Sequence, residues 1–139
     1  MAYWIKFSYE REIHVVDLDQ ISAFVYAPNG RLTFWLPESA IPVVLTPQSN
    51  PEAHCAVLDY LKQRTTYFPR STWIRMPYDR SEYYIDLSRI SAFSFAPNGR
   101  ISFCLPAGGM TLALNAHNCG DGYQVVMDYI QKTTGHSLP

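Results

Sequence analysis

The chain has 139 residues, enough for one ordinary domain or two very small ones. Hydrophobic residues make up 47% and charged residues 17%, a balance that excludes a disordered chain. A net charge of −1 excludes a global field drawing the protein to nucleic acid or anionic lipid, so any such binding needs a local patch.

The N-terminal stretch "MAYWIKFSYER" lacks the basic segment and long apolar run of a secretory leader. No apolar run approaches the roughly 20 residues that span a bilayer. The expectation is a cytoplasmic protein without membrane contact.

The first element is the alternating run "WIKFSY" from Trp4, ended by a charged turn at Glu10-Arg11. "EIHVVDL" follows as a second run rich in β-branched residues, which suit a pleated surface. Ile21–Ala27 and Leu32–Leu36 read as strands joined by Pro28-Asn29-Gly30. Pro sets φ for the first central position there, Asn suits the second, and Gly accepts positive φ. Ile41–Leu45 is a weaker fifth run. Asn50-Pro51-Glu52 then offers a cap residue, a first-turn proline and an acid near the positive helix end. Ala53, Val57, Tyr60 and Leu61 follow at i, i+4, i+7 and i+8, the spacing of one buried helix face.

From Trp73 the chain says the same again. Placing Trp73 on Trp4, an offset of 69, aligns 34 positions to Pro106 without a gap, and 18 are identical. They include Tyr9/Tyr78, Arg11/Arg80, Asp17/Asp86, ISAF at Ile21 and Ile90, and APNGR ending at Arg31 and Arg100. The second copy reads "WIRMPY", a turn at Asp79-Arg80, "EYYIDL", a hairpin around Pro97-Asn98-Gly99, and Met110–Leu114. Its helix is expected to start at Asn118 or Asp121, carry Val125, Val126, Tyr129 and Ile130 on its apolar stripe, and stop at Gly135.

The predicted fold is α+β. Two tandem β4–5α repeats, residues 1–69 and 70–139, form one pseudo-two-fold unit, with antiparallel sheets each packed by a C-terminal helix. The joining stretch "TTYFPRST" is too short and too aromatic for a flexible linker. A half of this size cannot bury its apolar surface alone, so the halves are expected to cover each other as a homodimer would.

Alternation assigns faces. Ile21, Ala23, Val25, Leu32, Phe34 and Leu36 are expected on one face under the helix, with Phe24, Tyr26, Thr33 and Trp35 on the other. Trp4 and Lys6, like Trp73 and Arg75, alternate away from Ile5-Phe7 and Ile74-Met76. The aromatic face reads either as an interface between copies or subunits, or as an open platform of rings with cations beside it. Stacked bases on such rings contribute about 1–3 kcal/mol each, and the cations would follow phosphates. The candidate ligand-binding residues are therefore Trp4, Lys6, Arg31, Trp35, Trp73, Arg75 and Arg100.

Two β4α units in tandem resemble the Whirly proteins and the dimeric transcriptional positive cofactor. That resemblance implies single-stranded DNA binding on the sheets. The lysine-rich KGKAAL stretch of Whirly proteins is absent, and a pleckstrin-homology-like or Sm-like arrangement uses the same strands.

Arg31 and Arg100 are suited to holding phosphate or carboxylate, or to pairing with Asp17 and Asp86. Those aspartates read as turn caps or arginine partners. Cys55, Cys104 and Cys119 are odd in number and irregularly spaced, which argues against disulfides and for reduced, buried thiols. His117-x-Cys119 with Asp121 lacks a second ligand pair, so no metal is predicted. His14, replaced by Tyr83 at the equivalent position of the second copy, reads as a plain strand position. No nucleophile elbow, phosphate loop or dinucleotide fingerprint occurs, so no cofactor and no enzymatic activity are predicted. The expected function is a non-enzymatic binding or interaction protein. Its partner is single-stranded nucleic acid or another protein chain, and a homo-oligomer is one form it would take.

Overall fold

A computed structural model describes residues 3–37, 39, 41–66, 72–105, 110–117 and 121–136. Cys119, the Ala107–Gly109 stretch and most of the joining segment lie outside them.

β1 (Trp4–Tyr9) and β2 (Glu12–Asp17) form a hairpin. β3 (Ala23–Tyr26), β4 (Leu32–Trp35) and β5 (Pro42–Leu45) form a meander, and α1 (Pro51–Thr66) follows. The order then recurs 69 residues on: β6 (Trp73–Tyr78) and β7 (Ser81–Asp86), then β8 (Ser94–Phe95), β9 (Ile101–Cys104) and β10 (Thr111–Leu114), then α2 (Gly122–Thr134). A single 3-10 turn follows each hairpin, at Leu18–Gln20 and Leu87–Arg89. Asp17 and Asp86 start these turns, accepting from the amides of Asp19 and Ser88, which fulfils the capping expectation. Asp86 also pairs with Arg89 at 3.7 Å, not with Arg100.

Among the described residues the strands build three antiparallel sheets: β1-β2, β5-β4-β3-β7-β6, and β10-β9-β8. The five-stranded sheet is the middle layer and is shared between the repeats, because β3 pairs with β7 (Ala23 opposite Ile85, Tyr26 opposite Glu82). One of its faces packs with Phe7 and Val16 of the two-stranded sheet and with Ala53, Val57, Tyr60 and Leu61 of α1. Those four α1 residues are buried as the helical spacing predicts. The opposite face packs on Ile101, Phe103, Leu112 and Leu114 of the three-stranded sheet and on Val126 and Ile130 of α2.

The expected grouping of faces is overturned at the first meander. Phe24 lies opposite Phe34, and Tyr26 opposite Leu32. The Ala27–Arg31 closure spans three turn residues, so even positions face even ones. Phe24 and Phe34 thus share one core, while Ala23 and Trp35 belong to the other. In α2 the stripe is narrower than expected, since Val125 is exposed. Its Cβ partner on β6 is tight: Gly122 sits where a Cβ would meet that of Met76 at 2.9 Å. The C-terminal stop at Gly135 is as predicted, in the left-handed region with its amide on Gln131.

A candidate nucleic-acid interface at the turn tips

The candidate residues fall in three places. Trp4 and Lys6 stand on the outer face of the β1–β2 hairpin, where Trp4 is 63% exposed. Trp35 is buried between the central and three-stranded sheets and offers no ring to a ligand. Trp73 is half-buried, its ring 6.0 Å from that of Phe24 and 6.3 Å from that of Tyr60. Arg75 is exposed but engaged: its Nε donates to Glu82 at 3.2 Å and its guanidinium lies over Tyr84. That hydrogen bond raises the Arg75 pKa, and burial raises those of Tyr83 and Tyr84. A continuous open platform of rings is therefore absent among the described residues, because apolar burial has claimed Phe24, Trp35 and most of Trp73.

The arginines fare differently. Arg31 and Arg100 are exposed, and each backbone amide donates to the turn asparagine, Asn29 or Asn98, at 3.0 Å. Neither guanidinium meets Asp17 or Asp86, whose oxygens are taken by the 3-10 turns.

The geometry adds two arginines that the sequence reading passed over. The hairpin tips Glu10-Arg11 and Asp79-Arg80 carry positive φ at all four residues, with Arg11 at 67° and Arg80 at 66°. Two-residue hairpin turns of this shape favour Asn-Gly. A charged residue and an arginine in both copies is the signal that was available.

Side-chain anchors bring the four turns to one end of the sheets. Asn50 donates to the Ser8 carbonyl, and the Val44 amide donates to the Tyr9 hydroxyl, holding the first tip beside the entry to α1. His54, buried in the first turns of α1, meets the Gly30 carbonyl, and Pro47 backs Gly30. Tyr26, Ala27 and Pro28 line one cavity with Pro77, Arg80 and Ser81, so that turn abuts the second tip. The second repeat uses equivalent anchors: the Ala113 amide donates to Tyr78, and Tyr123 donates to the Gly99 carbonyl. Arg11, Arg31, Arg80 and Arg100 thus stand on a row of neighbouring turns, exposed and without an ion-pair partner among the described residues. Glu10 and Asp79 share the tips, so the row is a set of discrete positive points and not a broad positive field.

Among the described residues no three histidines, cysteines or acids cluster as metal ligands, and no helix is long and apolar enough to cross a membrane. Cys55 and Cys104 are exposed, against expectation, because one lies on the outer side of α1 and the other on the outer face of the three-stranded sheet. His14 stacks on Phe7, as a plain strand position would.

No protein-family model and no curated protein matches the chain. A search of solved structures finds the LytTr DNA-binding domain of a response regulator from Bacillus cereus, with a TM-score of 0.51 over 96% of this chain and 97% of that one. At 9% identity the likeness is one of fold. The neighbour is a DNA-binding domain, in keeping with the broader part of the expected resemblance, whereas nothing in this match supports the Whirly proteins. In fold, the chain is similar to a LytTr DNA-binding domain.

Proposed function

We propose that the protein is a non-enzymatic nucleic-acid-binding module that grips the phosphate backbone with Arg11, Arg31, Arg80 and Arg100. The observation that carries this reading is the row itself. Four exposed arginines, repeated at the same offset, sit on rigid turns at one end of the sheets. A guanidinium presents its donors in a planar fork that fits two phosphate oxygens. Anchors through Tyr9, His54, Tyr78 and Tyr123 fix the turn backbones, so binding has the arginine side chains to order but not the turns. The fold of the LytTr DNA-binding domain agrees with this reading. Burial of Trp35 argues against base stacking as the main source of affinity, so backbone contact on duplex or single strand is the expected mode.

The test is an anisotropy titration of labelled duplex and single-stranded oligonucleotides across a salt series. Four phosphate contacts give a slope of log K against log [salt] of about −3 to −4, with duplex at the steeper end. Arg31→Gln and Arg100→Gln each flatten it by about 1. Absence of binding to both oligonucleotides at low salt, or a slope unmoved by these variants, overturns the proposal.

A further inference from the structure

The repeat is used asymmetrically. In the centre of the molecule β3 of the first copy pairs with β7 of the second, and Trp73 packs its ring against Phe24 and Tyr60. Tyr84, on the same face of its hairpin as Trp73, is buried in the same cluster. An equal junction would join β8 of the second copy to β2 of the first. Among the described residues that pairing is not made, and both strands end their sheets.

Every part of the missing junction is nevertheless present. The three rings of the central junction, Trp73, Phe24 and Tyr60, have the identical counterparts Trp4, Phe93 and Tyr129 at the offset of 69. The socket is preformed: Phe93 and Tyr129 lie 6.4 Å apart at 55°, against 6.1 Å at 53° for Phe24 and Tyr60. Phe93 meets Phe103 at 5.4 Å, as Phe24 meets Phe34. The knob is bare. Trp4, Ile13 and Val15 are 63%, 65% and 61% exposed on the outer face of the β1–β2 hairpin, while their neighbours Phe7 and Val16 are buried. On the receiving side Ala92 and Ser94 are exposed, whereas Ala23, the equivalent of Ala92, is buried where β3 lies beside β7. An apolar hairpin face beside an open strand edge is a template for pairing with another chain.

We infer that a second copy of this chain covers these surfaces, with β2 and Trp4 of one copy docking on β8, Phe93 and Tyr129 of the other. The register follows from the central junction. Ala23 opposite Ile85 becomes Ala92 opposite Val16, and Phe24 opposite Tyr84 becomes Phe93 opposite Val15. The occupant is another copy and not an unrelated partner because the chain already solves this interface once with the same three rings. Two such junctions close a dimer if the rotation returns on itself, and a single one leaves an open assembly. By the same offset Arg11 would border this junction, as Arg80 borders the central one, so association is measured without nucleic acid and with variants that leave the tip arginines in place.

The test is sedimentation equilibrium of the full chain over a concentration series, without nucleic acid. The expected result is association to twice 15.9 kDa or beyond. Trp4→Ser and Val15→Glu change exposed side chains and leave the circular dichroism spectrum intact. Trp4→Ser weakens association by about thirtyfold, the scale of a buried tryptophan anchor, and Val15→Glu weakens it by at least about tenfold. A strict monomer at every concentration overturns the inference. So does a dimer indifferent to both variants, which would use another surface.

Discussion

Replacing Arg11 and Arg80 by glycine separates folding from function at the hairpin tips. Both arginines hold φ near 66–67° with exposed side chains. A non-glycine residue in that region costs about 1–2 kcal/mol. Glycine removes the strain but loses about 0.5–1 kcal/mol through its freer unfolded chain. Each of Arg11→Gly and Arg80→Gly should therefore stabilise the fold by roughly 0.5–1 kcal/mol. The melting temperature of a chain this size then rises by about 2–4 °C per site. The two tips belong to different hairpins, so the double variant should sum them. Nucleic-acid affinity should move the other way, with the salt slope flattening by about 1 per arginine. Calorimetric melts and anisotropy titrations on the same preparations give both numbers. Variants that lose stability would refute the strain argument, and variants that gain stability but keep full salt dependence would refute the role of the tips. Strain retained in both copies, against an easy stabilising change, is the pattern expected where a side chain serves binding.

Gly122→Ala places a Cβ against that of Met76 and should cost about 1–3 kcal/mol by overpacking, read from a urea melt. Trp35→Ala should cost about 3–5 kcal/mol as a core truncation, whereas Trp4→Ala in dilute protein stays within about 0.5 kcal/mol. Tyr83 and Tyr84 are held neutral chiefly by burial. Unfolded tyrosine releases its proton near pH 10 and folded tyrosine above it, so the unfolded chain binds fewer protons there and stability falls as pH rises beyond about 10. Tyr83→Phe should shallow that alkaline loss in denaturant melts taken from pH 8 to 11.

Much of the architecture was legible because periodicity and repetition are local signals. The spacing of Ala53, Val57, Tyr60 and Leu61 located the buried face of α1, and Asp17 and Asp86 announced turn caps. Partners across sheets were not legible. Whether Phe24 faces Phe34 or Trp35 depends on one residue of loop length. The exchange of β3 onto β7 is a long-range choice that the duplication alone leaves open. The site divided along the same line. Arg31 and Arg100 were visible as arginines that the turn geometry does not require. Trp35 kept two readings, because an aromatic on a strand reads alike whether its face is open or covered by another layer, and the fold covers it. Arg11 and Arg80 were overlooked because a charged hairpin tip looks ordinary until its backbone angles are known.

The most direct test of the account is an amide chemical-shift map of the labelled protein during addition of a duplex oligonucleotide. The account predicts that the largest changes cluster at residues 10–11, 28–31, 79–80 and 97–100, with the outer face of β1–β2 and the Ser102–Cys104 face of β9 unmoved. Changes centred on those sheet faces instead, or no changes at low salt, would contradict it.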